Sequence, residues 1–249
     1  MYVENREAKS MNKILLGALG LAFVTISSPA SAAAYEGFYI GGRLGLTYAD
    51  AKVSGSSYSE ALEETETYSQ KPKTNGFAFG GLAGYNWIFD NIFIIGLNVA
   101  IDYNNITNTK TSTGIHGGIN IINNLTRRFS FTPSLKVGGC ITENVVLYGQ
   151  LGATIGWFRL HSFTNQPGDV GTSSASTSKK LWGIRPAIGI EYHHNYNLAF
   201  TLEISRDIYN QRIRQTEYQF VNSVPETYNN ASSMKPIYTS VLFGVNYKF

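Results

Sequence analysis

Residues 237–249 read I-Y-T-S-V-L-F-G-V-N-Y-K-F. The odd positions are Ile237, Thr239, Val241, Phe243, Val245, Tyr247 and Phe249, and the even ones are Tyr238, Ser240, Leu242, Gly244, Asn246 and Lys248. Side chains alternate between the two faces of a strand, so this stretch presents one apolar, aromatic face and one smaller, more polar face. It is long enough to cross a bilayer as a tilted strand, which takes about 9–11 residues. The alternative, the last strand of a soluble sandwich, fits less well. A soluble chain rarely ends on such a band of aliphatic and aromatic side chains.

The composition supports a membrane-spanning sheet. Of 249 residues, 15% are charged and 13% aromatic, with 25 Gly, 16 Tyr and one Cys. Low charge with abundant Gly and Tyr suits all-β structure with aromatic belts. A formal charge of +3 is too small to imply a nucleic-acid partner. The lone Cys140 excludes an internal disulfide and any Cys-rich metal cluster. The body of the chain holds no 18-residue apolar run, so no transmembrane helix is expected there.

The N-terminus reads as an address. Met11-Asn12-Lys13 is a short positive start, residues 14–26 form an apolar core, and Ala30-Ser31-Ala32 is a small-residue cleavage site. Cleavage is expected after Ala32, with Ala34 as the alternative. Residues 1–32 are thus read as an N-terminal extension plus cleaved signal peptide, and residues 33–249 as the barrel domain. The polar start before Met11 leaves open whether Met1 or Met11 begins the natural chain.

Seven further alternating stretches precede the last one, at residues 37–48, 76–87, 92–103, 128–138, 145–158, 181–192 and 198–209. Each sets large apolar residues against Gly, Ser, Thr or charged ones. Pro133, without an N–H, marks an expected irregularity in the fourth. The connections alternate in length. Polar stretches at 49–74, 104–127, 159–178 and 206–234 read as long loops, and 88–91, 140–144 and 193–197 as tight turns. The pattern predicts an all-β, eight-stranded, antiparallel, up-and-down transmembrane β-barrel with long extracellular loops and short periplasmic turns. Closure removes the sheet edges that a bilayer would not tolerate.

The opening F-Y-I-G-G-R-L-G at residues 38–45, G-Y-N-W at 84–87, V-L-Y-G-Q-L-G at 146–152 and the terminal Phe249 resemble the small outer-membrane barrels of the OmpA-like and opacity-porin type. The resemblance covers the chain from about Tyr35 onward. It implies residence in the bacterial outer membrane, contact with outer-membrane lipid and lipopolysaccharide, and delivery by periplasmic chaperones to the barrel-assembly machinery. It also implies that Gly244, Tyr247 and Phe249 form the assembly signal. Members of these families serve structural, adhesive or weakly conductive roles. Many carry an acidic residue near the position of Asn98, where this chain has Asp102 further along.

Parity places Arg43, Asp102, Lys136, Arg185, Glu191, Glu203 and Lys248 in the lumen, with Tyr148 and Gln150. Charges of mixed sign in a confined space should pair, and eight strands leave an interior that side chains fill. A structural polar plug is therefore expected, with a narrow ion path as the alternative. A short turn centred near His194 would set Arg185 opposite Glu203. Parity also puts Arg127 and Arg206 on the lipid side, where they could meet lipopolysaccharide phosphates or snorkel into headgroups.

A lipid A-modifying barrel enzyme is the rival class. No H-x-S pair follows His116, His161, His193 or His194, and His161 and Ser162, being adjacent, point to opposite faces. His193-His194 lacks nearby Cys or acidic ligands and reads as turn residues, not a zinc site. No catalytic, cofactor or metal site is assigned. The expected function is envelope integrity and display of polar loops that could contact a host or an extracellular ligand, with a small diffusion pore as the runner-up.

Overall fold

The computed structural model describes residues 36–249, except 60–63, 71–72, 91, 116–118, 166–172, 211–212 and 222–225. The expected signal sequence and its cleavage sites lie outside the described residues, as do His116 and Asn91. Among the described residues there are only strands, turns and bends.

Ten strands form one antiparallel sheet: β1 (Gly37–Ser59), β2 (Glu64–Gln70), β3 (Lys73–Phe89), β4 (Phe93–Ile115), β5 (Ile119–Thr142), β6 (Val145–Asn165), β7 (Ser173–His193), β8 (Leu198–Tyr209), β9 (Ile213–Val221) and β10 (Glu226–Lys248). Eight of them, β1, β3, β4, β5, β6, β7, β8 and β10, make the wall. The wall closes where β1 pairs with β10, from Tyr39↔Lys248 to Ser59↔Tyr228. The predicted eight-stranded antiparallel barrel is what forms.

The faces follow the alternation. Phe38, Leu44, Leu151 and Ile188 are more than half exposed on the outside, while Arg43, Asp102, Lys136 and Arg185 are almost fully buried within. This inverts the usual arrangement of a soluble protein, and only a hydrocarbon surround makes it stable. An aromatic row crosses four strands in register, Phe79↔Tyr103, Tyr103↔Phe129 and Phe129↔Trp157. Neighbouring rings along it lie 5.1 Å apart at Phe79–Tyr103 and at Tyr103–Phe129. A second group near the short turns includes Phe38–Tyr85 and Tyr85–Trp87, at 4.6 and 4.8 Å. These are the two interfacial belts.

The stretches expected to be long loops are mostly strand. β1, β4, β5, β6, β7 and β10 run far past the predicted ends, and β2 and β9 add to the projecting ends of β1 and β10. The physical reason is that pairing needs only a neighbouring backbone edge, which the closed wall supplies. A polar strand above the bilayer has no apolar face to betray it in the sequence, and Ser, Thr and Tyr are compatible with extended backbone.

Two departures from regular pairing matter for the interior. Along β5 the register with β6 shifts between Arg127↔Phe158 and Phe129↔Trp157, so Arg128 is an extra residue. At Pro133 the ladder to β6 lapses, but the same register resumes at Ser134↔Gly152. The irregularity expected at Pro133 is thus a missing pair of rungs, and the bulge lies at Arg128.

Large inward side chains are accommodated by inward glycines on adjacent strands. A Cβ at Gly189 would lie within 2.5 Å of the Tyr148 ring, and one at Gly84 would lie 2.6 Å from the Tyr39 hydroxyl. Small residues beside large ones let eight strands enclose a filled interior.

Candidate functional site

The lumen holds the candidate site, and it is built in tiers. Toward the short-turn end, Lys136 of β5 donates to Glu191 of β7 at 2.5 Å. Its ammonium sits 4.4 Å from the ring centroid of Tyr148. His193 Nε2 lies 2.7 Å from the other Glu191 oxygen. Ile94, Val146 and Tyr148 pack beside this group, with Ile88 and Cys140 partly buried against them.

The middle tier centres on Asp102. Arg43 donates to it in a forked pair, Nε to Oδ1 at 2.7 Å and Nη2 to Oδ2 at 2.6 Å. Arg185 donates to the same Oδ2 at 2.7 Å and to Ser205 Oγ at 2.9 Å. Glu203 lies at 3.5 Å from Arg43 and 3.6 Å from Arg185, and Tyr148 donates to it at 3.4 Å. Beside this tier Asn98 donates to Gln150, Gln150 to Ser134, and Ser134 to Asn98.

The upper tier pairs Arg127 of β5 with Asp207 of β8 at 2.5 Å. The Arg127 guanidinium also lies 4.1 Å above the Tyr238 ring and donates to the Tyr209 hydroxyl at 3.3 Å. Above it, Ala49, Ile106, Leu125, Phe158, Leu160, Leu181, Tyr209 and Tyr238 form a fully buried apolar cluster. This inward apolar plug was not foreseen. Its members are scattered over seven strands and fall partly within segments that read as loops.

The structure therefore brings Arg43, Asp102, Lys136, Arg185, Glu191 and Glu203 together, and it corrects three assignments. Arg185 does not face Glu203 across the β7–β8 hairpin. The rungs Gly183↔Tyr209 and Ala187↔Ser205 place it opposite Asp207. The turn is centred further along, because β7 continues to His193 and the Asn195 carboxamide accepts from the backbone N–H groups of Asn197 and Leu198 at 3.0 and 2.8 Å. The displacement is even, so the faces came out right and the partner wrong.

Arg127 is not on the lipid side. It is 1% exposed in the lumen, because the extra residue Arg128 reverses the parity of everything before it on β5. Arg206 keeps its outward place. Asp207, a full member of the network, was missed for a different reason: it shares the inward parity of Glu203 and Ser205 within the stretch 198–209, but the overlapping reading of 206–234 as loop left it out. His193 is also not a turn residue. It ends β7, buried against Glu191, and only His194 enters the turn.

The charges balance. Among the described residues the buried cations are Arg43, Arg127, Lys136 and Arg185, and the buried anions are Asp102, Glu191, Glu203 and Asp207, four of each. Two cavities touch the network, of about 20 and 10 Å³, room for roughly one water each. No group of His, Cys, Asp and Glu that could hold a metal ion occurs among the described residues.

At the closing strand, Gly244 points inward, where a Cβ would lie 2.4 Å from Thr201 Oγ1. Tyr247 and Phe249 point outward with ring centroids 5.3 Å apart. Phe249 N–H donates to Phe38 at 3.0 Å, and Lys248 N–H to Asn197 at 2.7 Å. The half-buried Lys248 lies at the short-turn end, away from the ion pairs of the middle tier.

Comparison with known proteins places this geometry. The model of the family described as outer membrane protein beta-barrel domain matches residues 16–249. The chain is 25% identical over 224 residues to the 31 kDa outer-membrane immunogenic protein of Brucella melitensis biotype 1, across 90% of this chain and 87% of that protein. Similar solved structures include the outer membrane protein OprG from Pseudomonas aeruginosa, with TM-score 0.44 and 16% identity over 87% of this chain and 98% of that one. Another is Ail, the attachment invasion locus protein of Yersinia pestis, with TM-score 0.34 and 14% identity over 86% and 99%.

Proposed function

This chain belongs to the outer membrane protein beta-barrel domain family, and from that premise we propose that it is a structural, surface-displaying barrel of the bacterial envelope, neither a diffusion pore nor an enzyme. The observation that carries the proposal is the filled lumen. Its four cations and four anions are matched, and a buried apolar cluster closes it above the upper ion pair. An ion entering would have to displace Asp102 from two arginines and then cross that cluster without its hydration shell, which is costly.

An enzymatic role draws no support from the described residues. The outward His161 lies on β6 opposite Asn124 and Ser176, and His193 is committed to Glu191. The projecting strand ends instead extend beyond the outer aromatic belt, a geometry suited to recognition by host or antibody. The relative's description as immunogenic agrees with such exposure. Export through a cleaved signal peptide and assembly through the terminal Gly244, Tyr247 and Phe249 complete the proposal.

Conductance tests it directly. Protein purified from outer membranes should give no resolved steps in planar bilayers, with or without deletion of its projecting segments. Regular steps in the intact protein would replace this reading with the pore.

A further inference from the structure

We propose that the outer wall at β5–β7 is a docking site for a phosphorylated glycolipid of the outer leaflet, its acyl chains on an aromatic floor and its phosphates on a cationic rim. The inference rests on the membrane-barrel reading above and adds a partner to it. A groove of about 680 Å³ runs along this face. Ile101, Phe129, Phe131 and Trp157 form its floor, and Arg128, Arg159, Lys179 and Lys180 edge it.

The groove lies at the correct height. The strand from Val145 to Trp157, at ~3.3 Å per residue and tilted ~40°, rises about 30 Å above the short turns, one hydrocarbon thickness. The short turns are periplasmic, so the rim sits at the outer interface, level with the headgroups.

The rim is built across three strands. The rungs Phe129↔Trp157 and Trp157↔Lys180 put two rings and an ammonium in one row. Lys180 Nζ lies 5.8 Å from the Trp157 ring. One rung further out, Lys179 stands opposite the inward Phe158 and shares its face, and on the next rung Arg159 and Ser178 are outward again. The bulge supplies the last cation. It leaves Arg128 and Phe129, adjacent in sequence, both outward. The same bulge that sends Arg127 to Asp207 therefore delivers Arg128 to the rim.

Charge complementarity identifies the occupant. In the lumen Arg43, Arg127, Lys136 and Arg185 each have a carboxylate partner. The outward cations Arg128, Arg159 and Lys180 are all exposed, and no described carboxylate forms an ion pair with any of them. Arg206, the one cation of β8, is likewise exposed but stands alone on the outer face. Three unmatched outward cations over an apolar floor fit a ligand with several lipid chains and more than one phosphate, since guanidinium and ammonium groups bind phosphate oxygens by charge-assisted hydrogen bonds.

The test uses the full protein expressed in a Gram-negative host, purified from the outer membrane and placed in phosphatidylcholine nanodiscs. Lipid A with its phosphates, dephosphorylated lipid A and phosphatidylglycerol are titrated separately, and retention is read by native mass spectrometry. Phosphorylated lipid A should bind at least about tenfold more tightly than either of the others. The combined variant Arg128→Gln, Arg159→Gln, Lys180→Gln should lose that preference, and Arg206→Gln should keep it. Equal retention of phosphatidylglycerol would reduce the rim to general headgroup attraction and overturn the proposal, as would a preference that survives in the combined variant. Should that variant fail to fold, a photocrosslinker at Ser178 must capture phosphorylated lipid A while one at Leu44, on a distant strand, must not; equal capture would overturn the proposal. Absence of the protein from the outer membrane would instead defeat the barrel reading.

Discussion

Asp102→Asn is the most searching test of the lumen. The carboxylate is 2% exposed and accepts three short hydrogen bonds, two from Arg43 and one from Arg185. The substitution preserves shape and removes the charge, leaving two guanidinium groups against a neutral amide. Breaking a buried ion pair costs about 3–5 kcal/mol, because the remaining charge stays desolvated. Here Glu203 lies 3.5 Å from one arginine and 3.6 Å from the other and can take up part of the loss, so a cost of about 3 kcal/mol is expected. With a urea slope of about 2 kcal/mol/M, the unfolding midpoint of the barrel in lipid vesicles should fall by about 1.5 M. Glu203→Gln, which loses only long contacts and the 3.4 Å bond from Tyr148, should cost less, about 1–2 kcal/mol. Adding Arg185→Met to Asp102→Asn should recover part of the loss. A midpoint for Asp102→Asn equal to that of the outward control Arg206→Gln, or a larger effect at Glu203, would refute the assignment of Asp102 as the hub.

Three further outcomes are expected. Arg127→Gln, which leaves Asp207 only the 3.7 Å contact with Arg185, should destabilise the barrel by about 2 kcal/mol in the same urea titration, whereas an outward Arg127 would make it silent. Deleting Phe249 should leave the chain in the periplasm by cell fractionation, because it removes the terminal ring beside Tyr247 and the N–H bonded to Phe38; undiminished outer-membrane yield would discard the assembly signal. Single cysteines at Ser57, Ser112, Ser173 or Asn229 should label on whole cells with an impermeant maleimide, and one at Asn195, in the β7–β8 turn, should not; the reverse pattern would invert the barrel.

By itself the sequence determined the faces and the order of the wall. Two-residue alternation is local, so Phe38, Leu44 and Tyr247 could be assigned outward, and Arg43, Asp102 and Glu203 inward, before any pairing was known. The tight turns were legible because each carries a short polar break, Asp90-Asn91, Thr142-Glu143-Asn144 or His193–Asn197, between apolar runs. What the tertiary structure alone decided was which inward residue meets which. Register between strands is set by the whole ladder, and a shift of an even number of residues leaves every face unchanged while changing every partner. Hence Arg185 was placed inside correctly and given Glu203 where Asp207 stands opposite. A single extra residue has the opposite effect. The bulge at Arg128 reverses the faces before it, sending Arg127 into the lumen, and nothing in the local alternation marks it. The apolar plug and the strand ends above the bilayer were also hidden. Ala49, Ile106, Leu160 and Tyr238 lie far apart in the chain, and only closure of the barrel at β1 and β10 brings them to one place.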